Sequence, residues 1–190
     1  MSAQTRRPSW LYVFLFIFLI ISCGEDKKIQ IQPRNTPYHQ ELGDTGIFIK
    51  KPDQGFYEAE TFLGLQHQVY VATLVIKTIN KPLEKVIEEG YNKERLKRQK
   101  IKLKSEKEVD YDGKPGVLLE LQQKERAFYF RKHVLMIEME DSKTILIRGT
   151  APIDKGAIAI RPDAYAGNAG DLGKVQKQIK GMVLSILFQE

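Results

Sequence analysis

An uninterrupted apolar run from Leu11 to Ile21 divides this chain into two unequal parts. It follows a pair of arginines and is closed by Ser22 and Cys23. As a helix, its 11 residues would span only about 17 Å at about 1.5 Å per residue, whereas the hydrocarbon core of a bilayer is about 30 Å thick. We therefore predict that the run does not cross a membrane and that the folded part of the chain lies after it.

The segment around this run resembles a bacterial lipoprotein signal peptide. It has a short basic start, an apolar centre and the lipobox-like sequence Ile20-Ile21-Ser22-Cys23, in which isoleucine stands at the first position, where leucine is commoner. The resemblance implies that residues 1–22 are removed and that Cys23 receives several acyl chains, such as palmitate, which together attach the protein stably to a membrane. The expected location is the bacterial cell envelope, on a periplasmic or surface face. The alternative is an uncleaved anchor helix in which Cys23 has no role.

The cysteine and histidine content limits what can hold the fold together. Cys23 is the only cysteine of the 190 residues, so no intramolecular disulfide can form and an apolar core has to stabilise the domain. Cysteine-rich metal sites are excluded, and His39, His67 and His133 do not have the spacing of a metal-binding motif. Without Arg6 and Arg7 the chain has 30 − 2 = 28 basic residues against 24 acidic ones, a net charge of +4 that does not by itself argue for nucleic-acid binding. We therefore expect no metal, no cofactor and no nucleic-acid partner.

Composition divides the rest of the chain near residue 45. Residues 23–45 contain two prolines and many polar side chains with little periodicity, which is typical of a solvated tether. Residues 46–190 are numerous enough to bury a core of their own. We therefore predict a lipidated tether over 23–45, followed by a single domain over 46–190.

The first part of this domain has the composition of β-strands. We predict a first strand over 46–52, ended by its proline and joined in a hairpin to a strand that begins at Phe56. Residues 58–65 are a further candidate strand. Residues 68–79 are rich in β-branched and aromatic side chains and predict another.

A helix is predicted to follow and to run to about Lys97. Pro82 suits the first turn of a helix, and Asn80 is the expected N-cap. An apolar stripe recurs at helical spacing and should pack on a sheet; its members are Leu83, Val86, Ile87, Gly90 and Tyr91. Gly90 on this stripe is expected to permit close packing.

Short strands separated by turn residues follow this helix and predict an antiparallel meander. The strands are expected over 102–109, 117–123, 127–140 and 144–150, with turns at residues 112–116, which begin with Asp112-Gly113, and at Asp141-Ser142-Lys143. The alternation of apolar and polar residues slips near residues 131–133, which predicts a bulge there. A loop over 152–173 and an amphipathic helix over 174–188 complete the prediction.

The order of these elements resembles the Mog1/PsbP-like α/β/α sandwich, which includes bacterial lipoproteins of the DcrB type. The motifs that carry the resemblance are the opening Ile47-Phe48-Ile49 with Pro52 and Gly55-Phe56, and the exit Ile147-Arg148-Gly149-Thr150-Ala151-Pro152. The resemblance covers about residues 46–190. It implies an α+β fold with an antiparallel sheet packed against helices, and a non-catalytic role in binding or assembly. The family has no shared catalytic residues to transfer to this chain.

A basic run follows the first predicted helix. Its candidate binding residues are Lys97, Arg98, Lys100, Lys102 and Lys104. On a tethered protein, such a run could contact anionic lipid headgroups or an acidic partner with salt-sensitive strength. The alternative is a solvated helix end followed by an exposed strand.

No catalytic motif stands out in the sequence. The glycine-rich stretch before Lys174 lacks both the glycine spacing and the Ser or Thr of a phosphate-binding loop. Glu138 and Glu140 would lie about 7 Å apart on one face of a strand, but strand alternation produces such pairs constantly. We therefore predict that the protein is not an enzyme.

The sequence as a whole predicts a lipid-anchored accessory factor of the cell envelope. Its expected partners are a membrane, through Cys23, and an envelope protein. Two alternatives remain open. A carrier of an apolar ligand would need a sizeable apolar cavity, and a small enzyme acting on envelope polymers would need a deep pocket with paired acids or histidines.

Overall fold

A computed structural model of the protein describes residues 28–32, 39–43, 45–52, 55–154 and 171–188. The larger sheet has eight strands in the spatial order β1 (Ile29–Ile31), β7 (Ile101–Tyr111), β8 (Lys114–Glu125), β9 (Phe128–Met139), β10 (Lys143–Pro152), β6 (Thr73–Ile79), β5 (Gly64–His67) and β4 (Phe56–Glu58). A smaller sheet has the order β11 (Leu187–Phe188), β3 (Ile47–Lys50) and β2 (His39–Glu41).

Helices cover both faces of the larger sheet. On one face lie α1 (Leu83–Val86), a π-helical turn (Ile87–Tyr91) and α2 (Lys93–Arg98); on the other lies α3 (Leu172–Leu184). Each face has its own cluster of buried apolar side chains, so the core forms two layers separated by the sheet. The predicted α+β class, with a sheet packed against helices, is confirmed.

The predicted antiparallel meander is also confirmed, although its strands are longer than expected. β7 and β8 are joined by the two-residue turn Asp112-Gly113, with φ angles of 50° and 82°. Positive φ at both positions suits the right-handed twist of the strands that follow, and Asp-Gly is a favoured pair there. Asp141 and Ser142 also have positive φ, in a 3₁₀ turn between β9 and β10.

The predicted bulge in the third meander strand is wrong. β9 keeps a continuous register with both neighbours, and the irregularity lies instead in β7, between Leu103 and Ser105. The extra residue reverses which face each later side chain takes. Consequently Leu103 packs on the α1–α2 face, whereas Val109 and Tyr111 pack on the α3 face.

The predicted hairpin between the first two strands is wrong as well. β3 pairs with β2 and β11 in the smaller sheet, whereas β4 pairs with β5 in the larger one. The segment between Pro52 and Phe56 therefore connects the smaller sheet to the larger one and does not close a hairpin. The strand predicted over 58–65 is interrupted between β4 and β5, and the one predicted over 68–79 starts only at Thr73.

The stretch predicted as a solvated tether contains two short strands. β1 lies parallel to β7, with Ile29 opposite Val109, and β2 lies antiparallel to β3. Ile31 and Leu42 are buried in the core. These contacts were not predicted because a three-residue strand gives too little periodicity to recognise.

The predicted helix after Asn80 is divided into three pieces. Its N-cap position is Pro82, which makes no side-chain capping bond, so the expected cap at Asn80 is wrong. The helix breaks at Asn92, whose Oδ1 accepts a hydrogen bond from the Arg95 backbone N–H at 2.8 Å and caps α2. Leu83 and Val86 are buried against the sheet, as predicted.

The last helix ends earlier than predicted. α3 stops at Leu184, and residues 187–188 form β11 on the edge of β3. Tyr111 in β7 donates a hydrogen bond of 2.8 Å from its hydroxyl to the Ile186 carbonyl and stacks edge to face on Phe188. The C-terminal segment is thereby joined to both sheets.

Candidate anion-binding groove

Two shallow grooves flank Tyr91 where the π-helical turn crosses the larger sheet. One has a volume of about 350 Å³ and the other about 390 Å³. Gly90, Tyr91, Arg95 and Arg148 line both of them, so they form one continuous depression around the tyrosine ring. We refer to this depression as the arginine groove.

Apolar side chains make up much of the groove wall. On the α1 side they are Val75, Ile79, Val86 and Leu146, and on the β7 side they are Leu96, Ile101, Leu121 and Val134. Most of them belong to the buried cluster under α1 and α2, so the wall is held by core packing. A ligand in the groove would meet a rigid apolar surface with charged groups around it.

Two of the groove's lysines are matched by acids. Lys81 forms a salt bridge with Glu89, and Lys132 Nζ lies 2.6 Å from Glu125 Oε1 and also contacts Gln123. The hydrogen bond from Lys81 lowers the pKa of the Glu89 carboxyl, with smaller contributions from neighbouring cations that include Arg95. Glu89 and Glu125 are therefore each already paired with a lysine.

The two arginines differ from these lysines. Within the part of the chain that the structure describes, neither Arg95 nor Arg148 has a carboxylate within 4.0 Å. Burial raises the pKa of the Tyr91 hydroxyl, while the positive charge of Arg148 acts in the opposite direction. The positive charge of the half-buried Arg148 therefore acts on the Tyr91 hydroxyl. The charges of Arg95 and Arg148 at the centre of the groove are not balanced by a described carboxylate within 4.0 Å.

The local sequence explains how the groove stays open. A Cβ atom added at Gly90 would meet no atom within 4 Å outside its chain neighbours and its own helix backbone, so the expected close packing at this glycine is wrong. Instead, the missing side chain leaves room beside Tyr91. The π-helical turn places Gly90 and Tyr91 over the sheet, and insertions of this kind often occur at functional sites.

The predicted basic run lies next to the groove but does not line it. Lys97 and Arg98 end α2, Lys100 follows, and Lys102 and Lys104 lie in β7; all five are exposed. In the described part of the chain, none of them forms a salt bridge. The five residues therefore form an exposed stretch of chain from the end of α2 into the first part of β7.

Sequence reasoning missed the role of Arg148. A signal was present in the sequence, because Arg148 is a charged residue that directly follows the apolar run Ile145-Leu146-Ile147 in β10. Arg95 lies two positions before Lys97 and was not among the predicted binding residues; only the tertiary structure brings it to the same groove as Arg148. Cys23, the predicted lipidation site, lies outside the described residues.

The remaining candidates have structural roles. Glu140 lies in the 3₁₀ turn after β9 and therefore does not share a strand face with Glu138. Asp171 caps α3 by accepting a hydrogen bond from the Gly173 N–H at 2.8 Å, and residues 155–170 of the glycine-rich loop lie outside the described residues.

The two buried histidines are held in separate places. Burial lowers the pKa of both His67 and His133. His67 Nδ1 accepts hydrogen bonds of 3.1 Å from the backbone N–H groups of Val69 and Tyr70, which require it to be unprotonated.

Among the described ranges, no three His, Cys, Asp or Glu side chains are grouped closely enough to hold a metal. Nor does any described helix have the length and apolar character needed to cross a membrane.

Comparisons with known proteins leave the family open. No protein-family model and no curated protein matches the chain. Among solved structures, the chain is similar to cyanobacterial PsbP (CyanoP) from Synechocystis sp. PCC 6803, with 13% identity, a TM-score of 0.44, and coverage of 88% of this chain and 98% of that one. It is also similar to PA94, a protein of unknown function from Pseudomonas aeruginosa, with 17% identity, a TM-score of 0.40, and coverage of 59% and 80%. At these values neither likeness bears on function.

Proposed function

We propose that this chain is a lipid-anchored protein of the bacterial cell envelope that acts as a non-catalytic binding or assembly factor. Its anchor would be Cys23, and its contact site would be the arginine groove. The partner would be an envelope protein that inserts an acidic segment into the groove.

The observation that carries this proposal is the pair Arg95 and Arg148. Both line the groove without a carboxylate partner in the described residues. A guanidinium presents a planar set of donors that matches a carboxylate and can bind it through two hydrogen bonds. Because the groove continues on both sides of Tyr91 over apolar walls, a peptide with alternating acidic and apolar side chains would complement it.

The composition of the groove favours binding over catalysis. The described residues that line it include no serine, cysteine or histidine, and both of its glutamates are paired with lysines. A nucleophile with an adjacent base, or a pair of acids with different pKa values, is the usual requirement for hydrolysis. The described grooves are also open to solvent, whereas a carrier would enclose its apolar ligand.

A peptide-binding experiment tests the groove directly. The probe is a fluorescein-labelled peptide that alternates glutamate with leucine, and the readout is fluorescence anisotropy. We expect Arg95→Gln and Arg148→Gln each to weaken binding about tenfold or more, because each removes a charge-assisted hydrogen-bonding group. Gly90→Leu keeps every charge but fills the groove, and it should weaken binding as well.

The control variant removes two charges elsewhere, one more than either groove variant. Lys174→Gln with Lys177→Gln changes two exposed cations of α3, on the opposite face of the sheet. This variant should bind the peptide as the unmodified protein does. Equal weakening by the control and the groove variants would mean that net charge alone attracts the peptide, and the groove assignment would be wrong.

The anchor needs a separate test. Cys23→Ala should abolish acylation and release the protein from membranes, with the acyl groups measured by mass spectrometry of the mature N-terminus. If the variant still sediments with membranes in high salt, the lipoprotein assignment fails, whatever the peptide experiment shows.

A further inference from the structure

The way the chain enters the fold restricts where its anchor can be. β1 runs parallel to β7, with Ile29 opposite Val109, and Lys28 Nζ lies 3.0 Å from Glu108 Oε2. Since the two strands run in the same direction, the N-terminal end of β1 is directed towards the part of β7 that contains residues 101–107. The exposed cations of the basic run lie in or just before that part.

The length of chain before Lys28 sets the reach of the anchor. Cys23 precedes Lys28 by five positions, and five fully extended residues span at most about 18 Å. Lys104 stands four positions before Glu108 in β7, which corresponds to about 13 Å along the strand. A membrane attached at Cys23 therefore lies within reach of the first half of β7.

This edge of the domain has a strong excess of positive charge. Between residues 97 and 107 there are six cations and one acid, and no salt bridge among the described residues involves them; the cations are Lys97, Arg98, Lys100, Lys102, Lys104 and Lys107. All six are exposed. Cationic side chains held close to an anionic leaflet are attracted to its headgroups, and each strengthens binding by roughly fivefold at low salt.

We propose that these six cations form a membrane-contact edge that rests on the anionic lipid headgroups beside the anchor. The proposal rests on the anchoring of Cys23 proposed above. The domain would then lie with the β1–β7 edge of its larger sheet towards the lipid. Lysines on an edge strand also discourage pairing with other strands, so the experiment has to separate these two roles.

Chemical anchoring tests the orientation independently of acylation in the cell. The mature chain, residues 23–190, is coupled through its single cysteine to a maleimide lipid in vesicles. One set of vesicles contains phosphatidylcholine alone, and the other also contains phosphatidylglycerol. Lysine acetylation by a water-soluble reagent is then mapped by mass spectrometry.

On the anionic vesicles, we expect acetylation at Lys100, Lys102 and Lys104 to fall several-fold relative to Lys174 and Lys177. The protection should be absent on phosphatidylcholine alone and should disappear in high salt. Equal acetylation on both kinds of vesicle would overturn the proposal. So would protection that persists in high salt, because lipid electrostatics would not explain it.

A charge-reversal variant provides the second measurement. Lys100→Glu, Lys102→Glu and Lys104→Glu together should reduce flotation of the uncoupled protein with anionic vesicles more than tenfold, whereas Lys174→Glu with Lys177→Glu should have a much smaller effect. Circular dichroism checks that both variants fold. If the triple variant self-associates but floats unchanged, the lysines protect the edge strand and do not bind lipid. Because the maleimide supplies the anchor, a failure of acylation at Cys23 in cells would refute the proposed function without altering this result.

Discussion

The contact between α3 and β10 depends on a glycine, and it allows a quantitative test of the fold. A Cβ atom at Gly149 would lie 2.6 Å from Ile179 Cγ2 and 2.7 Å from Val183 Cγ2. Carbon atoms in contact prefer separations of about 3.5–4.0 Å. Gly149→Ala would therefore force the helix and strand apart by about 1 Å at this point. Ile179 and Val183 are fully buried, so neither side chain can move into solvent.

We expect Gly149→Ala to lower the free energy of unfolding by about 1–3 kcal/mol, the usual cost of overpacking a core. Urea unfolding followed by circular dichroism measures this change. The transition midpoint should fall while the dependence on urea concentration stays the same, because the compactness of the two states is not altered.

A double-mutant cycle identifies the contact responsible. Ile179→Ala removes the Cγ2 atom that the new methyl group would meet, so Gly149→Ala should cost less in that background than alone. Gly181→Ala is the control, since its Cβ would meet nothing within 4 Å. It should preserve or raise stability through helix propensity. If Gly149→Ala costs less than about 0.5 kcal/mol, or if the two changes simply add, the close approach of α3 to β10 is not as described.

Three further predictions concern stability. Burial lowers the folded-state pKa of His67 and His133, so the unfolded chain binds protons first as the pH falls. The free energy of unfolding should therefore be independent of these histidines above about pH 6.5 and should decrease below that pH by at most about 1.4 kcal/mol per pH unit for each of them. Urea unfolding at several pH values checks this, and a flat profile would contradict it. Tyr111→Phe should cost about 1–3 kcal/mol, because it leaves the buried Ile186 carbonyl without its hydrogen bond; an unchanged thermal midpoint would refute this. Gly55→Ala should cost more than about 1 kcal/mol, since Gly55 has φ of +100° and its Cβ would lie 2.6 Å from His67 Nε2; equal stability in thermal melts would count against the described loop.

Local sequence signals predicted those elements that depend on neighbouring residues. Asp112-Gly113 predicted the turn between β7 and β8 because few other pairs accept positive φ at both positions. The spacing of Val175, Ile179 and Met182 predicted the buried face of α3, and all three are buried. The α+β class was expected from the family resemblance, which rests on the order of these elements and on two short motifs.

Pairing between distant segments could not be predicted in this way. Pro52 indicated a turn but not that the chain crosses from one sheet to the other. The bulge at Leu103 depends on how β7 is aligned with β8, and the sequence of β7 alone does not set that alignment. Ile29–Ile31 is too short to show a period, yet it pairs with β7 in the larger sheet.

The two candidate sites differ in the same way. The basic run could be recognised in the sequence because its cations are close together there. The arginine groove could not, because Arg95 and Arg148 lie in separate elements and meet only when the π-helical turn packs across β10. Turns, amphipathic faces and the basic run could be recognised in the sequence, since each depends on residues that are near one another in the chain. The pairing of strands and the grouping of charges in one groove became apparent only in the folded protein, because they depend on packing between segments far apart in the chain.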